Sequence, residues 1–223
     1  GGYIIVILIM NKKREVSLII EKLEVGPIMA NCFIVGCKET KHAAVIDPGD
    51  EADRILMTLA EYKLSVKYLI NTHSHFDHVG ANKRMKEVTG APLAIHPDDA
   101  PMLSELSRAA MMFGLSADNS PEPDILLKDG DEISFGNITL KVIHTPGHSQ
   151  GGICLYTPGH LFAGDTLFFG SIGRTDLPGG DYDTLISSIK TKLLVMDPTT
   201  IVYTGHGPET TIGNEKQTNP FLR

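Results

Sequence analysis

Thr72-His73-Ser74-His75-Phe76-Asp77-His78-Val79-Gly80 is the stretch around which this chain organises itself. Its six positions from His73 to His78 hold three imidazoles and a carboxylate. An apolar run over 66–70 leads directly into it and reads as a buried strand. Neutral imidazole and carboxylate are common ligands for zinc and similar divalent ions. A strand ending in a ligand-rich loop aims such groups at one point, so further ligands are expected at other strand ends.

Three later strands supply them. Ile143 leads into His144-Thr145-Pro146-Gly147-His148, Ala163 into Gly164-Asp165-Thr166, and Thr204 into Gly205-His206-Gly207. Glycine beside a ligand lets the backbone turn sharply and approach closely. His144 stands four before His148, a spacing that suits a helical zinc pair. It falls on a predicted strand with Pro146-Gly147 intervening, and is left out. His96, before Pro97-Asp98, either caps the next helix or lines the cleft, while His42 and His160 read as surface or turn residues. Asp47, in an Asp-Pro-Gly turn, has two readings: a carboxylate that orients a ligand imidazole, or a simple Asx turn.

The chain of 223 residues can bury a substantial core, and its 22 Gly and 13 Pro suit a loop-rich globular protein. A net charge of −7 with no basic stripe argues against binding a phosphate backbone. Cys32, Cys37 and Cys154 are an odd, sparse set that gives no disulfide framework. They read as small core residues in a reducing compartment, so a cytoplasmic protein is expected. The apolar run 3–10 is too short for a bilayer, which needs about 20 residues, and no membrane association is expected. Its basic cluster follows the run, the wrong order for a signal peptide. Residues 1–16 read as an N-terminal extension, either an extra strand or a non-native segment ahead of a start at Met10.

Strands are predicted over 17–25, 32–36, 43–46, 66–70, 92–95 and 201–204. Hairpins are predicted over 133–143, turning at Gly136-Asn137, and over 153–163. Helices are predicted over 51–62, 80–89, 98–114 and 183–194. Two groups of strands with helices between them predict two sheets packed together and covered by helices, in one domain over 17–223.

At this point a resemblance is plain. Thr72-His73-x-His75-x-Asp77-His78, Pro146-Gly147-His148, Gly164-Asp165-Thr166-Leu167-Phe168 and Gly205-His206-Gly207 resemble the motifs of the metallo-β-lactamase-fold hydrolases. More narrowly they look like the glyoxalase II branch, the hydroxyacylglutathione hydrolases. Gly173-Arg174-Thr175-Asp176, Gly207-Pro208-Glu209-Thr210 and Asn219-Pro220-Phe221-Leu222 are similar to its short, single-domain members. The resemblance implies an α/β fold, a four-layer αβ/βα sandwich of two mixed sheets flanked by helices, with metals at the sheet edge. It also implies that His73, His75 and His148 hold one metal, that Asp77, His78 and His206 hold a second, and that Asp165 bridges them. Zn²⁺ is the implied default for both, with Fe or Mn possible, since a ligand set without thiolate is not restricted to zinc.

Two such metals would lower the pKa of a shared water from 15.7 toward about 7. The resulting metal-bound hydroxide would attack an ester-like carbonyl, with Asp77 also orienting the nucleophile. Such a hydroxide needs no Ser-His-Asp triad or Gly-x-Ser-x-Gly elbow. A thiolate leaves with little acid catalysis, so a small-molecule thioester such as S-lactoylglutathione is the expected substrate. Arg174 either grips it or pairs with Asp176 or Asp181; Asp176 and Pro208 stand where the resemblance leads one to expect tyrosine. Persulfide dioxygenases, with mononuclear iron, share the fold and a Gly-Arg-Thr-Asp segment, but their last motif resembles Ala-His-Asp rather than Gly205-His206-Gly207. A lactonase or β-lactamase is a further alternative.

Overall fold

The computed structural model describes residues 18–223, apart from 113 and 117. The expected extension over 1–16 lies outside the described residues. A first sheet runs β1 (Leu18–Val25), β2 (Ala30–Cys37), β3 (His42–Ile46), β4 (Ser65–Ile70), β5 (Leu93–Ile95) and β6 (Ile125–Leu126), in that spatial order. Its first three strands are antiparallel and the rest join in parallel. The second sheet takes β7 (Glu132–Phe135), β8 (Ile138–His144), β9 (Ile153–Thr157) and β10 (His160–Gly164). After the ribbon of β11 (Leu167–Phe168) and β12 (Ser171–Ile172), β13 (Ile201–Thr204) and β14 (Thr210–Thr211) complete it in the order β14-β13-β10-β9-β8-β7. There β13 pairs parallel to β10 while its other pairings are antiparallel, so both sheets are mixed.

The period of two along each strand sorts the side chains into layers. In β2, which is buried throughout, Cys32 and Ile34 face one way and Phe33 and Val35 the other. Ala43 and Val45 in β3 join the former face, and Ala44 and Ile46 the latter. The second set meets Phe135, Leu140, Val142, Leu155 and Phe162 between the two sheets. Outside the first sheet, Ile55 and Leu59 of α1 (Ala52–Glu61) and Met85 of a later helix close a second core. Outside the second sheet, Leu161 and Ala163 pack on Leu185, Ile189 and Ile212. The result is the expected four-layer αβ/βα sandwich. Cys32, Cys37 and Cys154 are all free and buried, one in each of the three cores. Among the described residues no helix is long and apolar enough to cross a membrane.

The helix predicted over 183–194 runs as α-helix Tyr182–Ser188 into π-helix Ile189–Leu193, and a further helix, Ile212–Thr218, is not among those predicted. Two other helices differ from expectation. The segment predicted as one helix over 98–114 is a 3₁₀ turn, Ala100–Glu105, followed by α-helix Leu106–Met112. The Leu103 carbonyl accepts from Ser120 N at 3.0 Å and the Ser107 amide donates to Asn119 Oδ1 at 2.9 Å, so neither takes the helical partner that would join the halves. The helix predicted from residue 80 is preceded by α2 (Phe76–Val79), before α3 (Asn82–Thr89). Asp77 and His78 therefore ride on a helical turn and not on a loop.

At the edge where β4, β8, β10 and β13 end, backbone bonds tie the sheets together. Ile153 N donates to Thr72 O at 2.8 Å and Asn31 N to Gly205 O at 2.7 Å. Ala30 forms a bridge with His206. His73, His75, Asp77, His78, His148, Asp165 and His206 all follow these strand ends.

Candidate metal centre

The end of β4 delivers Thr72, His73 and His75, and the α2 turn carries Asp77 and His78 back beneath them. The ends of β8, β10 and β13 bring His148, Asp165 and His206. Asp165 stands at the middle. Its Oδ1 lies 3.3 Å from His78 Nε2, and its Oδ2 lies 3.5 Å from His148 Nε2, 3.7 Å from His206 Nε2 and 4.0 Å from His73 Nε2. Asp77 Oδ2 is 3.2 Å from His206 Nε2 and 3.5 Å from His78 Nε2. His73, His75 and His148 point donor atoms within 4.8 Å of one another, and so do Asp77, His78 and His206.

Neighbouring groups fix which nitrogen faces inward. Thr72 Oγ1 donates to Asp47 Oδ2 at 2.6 Å, so it is free to accept from His73 Nδ1 at 3.0 Å. His78 Nδ1 donates to Asp47 Oδ2 at 3.2 Å, and His148 Nδ1 to the Arg174 carbonyl at 2.8 Å. Each of these rings thus turns the Nε2 lone pair to the centre, the arrangement typical of metal-ligating histidine. His73 Nε2, His148 Nε2 and Asp165 Oδ1 are buried with no hydrogen-bond partner. Buried polar atoms left unpaired are costly, and bound cations would satisfy these three. The donor set fits divalent metal.

The charges agree. Burial drives the His73 imidazole well below its ordinary pKa, with His78 adding to the effect. Burial and then His148 take His75 to about 4. Burial would raise Asp165, but the imidazoles of His78, His73 and His148 outweigh it and hold the carboxyl well below its usual range. For His78 the balance reverses: burial lowers it, yet Asp165 and Asp77 prevail and raise it well above. His206 is raised too, its burial overcome by Asp77 and Asp165. The cluster keeps its carboxylates ionised and draws protons to one side, where a cation would replace them.

Two glycines are spatially required. A Cβ on Gly205 would strike Asp165 Oδ1, and one on Gly173 would strike the Asp165 carbonyl. Asp47 resolves in favour of orienting a ring, since it is 1% exposed and bonds both Thr72 and His78. The Arg174 guanidinium pairs with Asp176 at 2.7 Å through both Nε and a terminal nitrogen, in the open. Only its carbonyl reaches the cluster, a backbone role that no side-chain motif announces.

His144 and His96 stay outside the cluster. Their rings stack 4.1 Å apart and 10° from parallel, and with Asp98 they bring donor atoms within 4.8 Å of one another, apart from the seven-residue cluster. His42 and His160 are partly buried, and His160 Nδ1 bonds the Tyr203 hydroxyl at 3.0 Å. No motif signals that contact.

The sequence profile of the metallo-beta-lactamase superfamily matches residues 25–206, a span that contains every residue of the cluster. The chain belongs to the metallo-beta-lactamase superfamily. Membership places it among the metal-dependent hydrolases. It is 41% identical over 207 residues to the hydroxyacylglutathione hydrolase GloC of Haemophilus influenzae, covering 91% of this chain and 97% of that one. The crystal structure of the BLEG-1 B3 metallo-beta-lactamase superposes with a TM-score of 0.86 at 36% identity, over 92% of this chain and 99% of that one. TTHA1623 in a di-iron-bound form gives 0.84 at 39% identity, over 91% and 100%.

Proposed function

We propose that this superfamily member hydrolyses acyl thioesters of the S-lactoylglutathione type, using two divalent metals. The observation that carries the proposal is the pair of three-residue donor sets flanking one carboxylate, Asp165. In this reading His73, His75 and His148 hold the first metal, Asp77, His78 and His206 the second, and Asp165 joins them. Zinc is the default, and iron or manganese suits the same nitrogen and oxygen donors; the di-iron form of TTHA1623 supports the iron option. Bound metal supplies Lewis-acid polarisation of the carbonyl and a water of lowered pKa.

The chain's own residues do the rest. Asp77 Oδ2, beside His78 and His206, is placed to orient the attacking water. A recess next to Asp77, walled by Ile28, Phe76 and Leu115 and without a basic residue, suits the uncharged acyl group. The thiolate needs no dedicated acid. Arg174, exposed at the rim, is the cation that would meet glutathione's carboxylates in exchange for Asp176. The similarity to a relative named hydroxyacylglutathione hydrolase supports this substrate. The free cysteines fit a reducing compartment, so the cytoplasm is the proposed location, and the hydrolase unit is taken as residues 17–223.

The complete second donor set favours this reading over a mononuclear iron dioxygenase. A β-lactamase reading draws support from the likeness to BLEG-1. Metal-loaded protein should cleave S-lactoylglutathione and leave a chromogenic cephalosporin largely intact. Failure to cleave any of several thioesters with both metals bound would overturn the assignment.

A further inference from the structure

We propose that Asp99 is a positioning residue dedicated to the first half of the metal centre. This rests on the two-metal reading above and deepens it. Asp99 lies in the loop after β5, a strand that carries none of the seven cluster residues, and is 2% exposed. Its two carboxylate oxygens are divided between two other loops. Oδ2 accepts from Ser74 N at 2.9 Å and Oδ1 from Gly151 N at 2.6 Å. Ser74 stands between His73 and His75, and Gly151 stands three residues after His148. One buried carboxylate therefore clamps the two segments that bear all three histidines of the first half.

The clamp is fitted closely. Asp99 N donates to the His96 carbonyl at 3.1 Å, which pins the turn that presents the carboxylate. A Cβ on Gly151 would lie 2.7 Å from Asp99 N and 2.8 Å from Oδ1, so a side chain there would drive the loops apart. Amide bonds to an ionised carboxylate are among the stronger hydrogen bonds, and the buried site keeps water from replacing them.

The second half has separate supports. Asp47 holds His78 (and, through Thr72, His73 as well), and Asn31 Nδ2 donates to the carbonyls of Thr204 at 2.8 Å and Gly207 at 2.9 Å, on either side of His206. Among the described residues, the Asp99 carboxylate accepts from Ser74 and Gly151 and makes no bond to α2 itself, which carries Asp77 and His78, or to the loop that carries His206. Loss of Asp99 should thus loosen one half of the centre and spare the other, whereas a merely structural residue would affect both.

Asp99→Asn keeps the shape but offers one acceptor oxygen for two amide donors. The test places it in two backgrounds: His206→Ala, which leaves the first half complete, and His148→Ala, which leaves the second. Each protein is titrated with Zn²⁺ against a chelator. Asp99→Asn should weaken binding about 10- to 100-fold in the first background and less than about threefold in the second, the usual scale for residues that orient ligands. No weakening in the His206→Ala background, or equal weakening in both, overturns the proposal. Should Asp99→Asn not fold, Gly151→Ala perturbs the same clamp and is read the same way. If the unmodified chain takes up two zinc ions and neither variant discriminates, the role of Asp99 falls and the two-metal reading stands. If it takes up none, the metal reading falls and the role of Asp99 with it.

Discussion

Removing the Asp47 carboxylate should damage the fold before any metal is considered. Asp47 is buried and accepts from Thr72 N at 2.7 Å, from Thr72 Oγ1 at 2.6 Å and from His78 Nδ1 at 3.2 Å. Asp47→Ala strands all three donors. One buried donor left unpaired costs about 1–3 kcal/mol, and breaking a buried charged network costs about 3–5. The backbone adds to this, because Asp47 sits at φ +52°, where alanine is disfavoured by roughly 1 kcal/mol. The total comes to roughly 4–6 kcal/mol, which in a chain of this size lowers the unfolding midpoint by roughly 10–20 °C. Asp47→Asn separates the contributions, since asparagine tolerates left-handed backbone and keeps one acceptor, so its loss should be roughly 1–3 kcal/mol. Thermal and urea unfolding of metal-stripped protein measures both. Asp47→Ala within about 1 kcal/mol of the parent would refute the reasoning, because such a value is less than the cost of one stranded donor.

Gly205→Ala should lose metal affinity and turnover while the sheets persist, because its Cβ meets Asp165 Oδ1 at the centre of the cluster; metal analysis beside circular dichroism checks this. Acidification should empty the two halves in order. His78 and His206 hold their protons more tightly than free imidazole, so protons compete for the second half already near neutral pH, and its affinity falls as pH falls from there. Burial lowers His73 and takes His75 to about 4, so these two rings of the first half keep their lone pairs until pH approaches that value. Zinc titrations at pH 7.5 and about 5.5 should therefore show the loss of one equivalent and the retention of the other. Simultaneous loss would contradict the assignment of the rings.

Much of this was legible in the sequence because ligands recur at strand ends beside glycine, and strand periodicity separates two sheet faces. Cys32 to Val35 is apolar throughout, as a strand buried on both faces should be, and its side chains alternate between two cores. What escaped was structure set by distant partners. Two-residue strands such as Ile125–Leu126 and Thr210–Thr211 are too short to show a period. The break near Leu106 depends on Asn119 and Ser120, which approach only in the folded chain. Asp99 looks like one of many loop aspartates until Ser74 and Gly151 are seen to converge on it. The Arg174 carbonyl under His148 is a backbone group, and its position follows from the turn and not from the side chain.

In the proposed centre two metals share Asp165, whose oxygens reach toward His78 on one side and His148 on the other. Its most direct test is metal content by mass spectrometry for the parent chain and Asp165→Asn, prepared side by side. The parent should hold two equivalents of divalent metal, with both markedly depleted in the variant. Two retained equivalents in Asp165→Asn, or a parent that never takes up more than one, would contradict it.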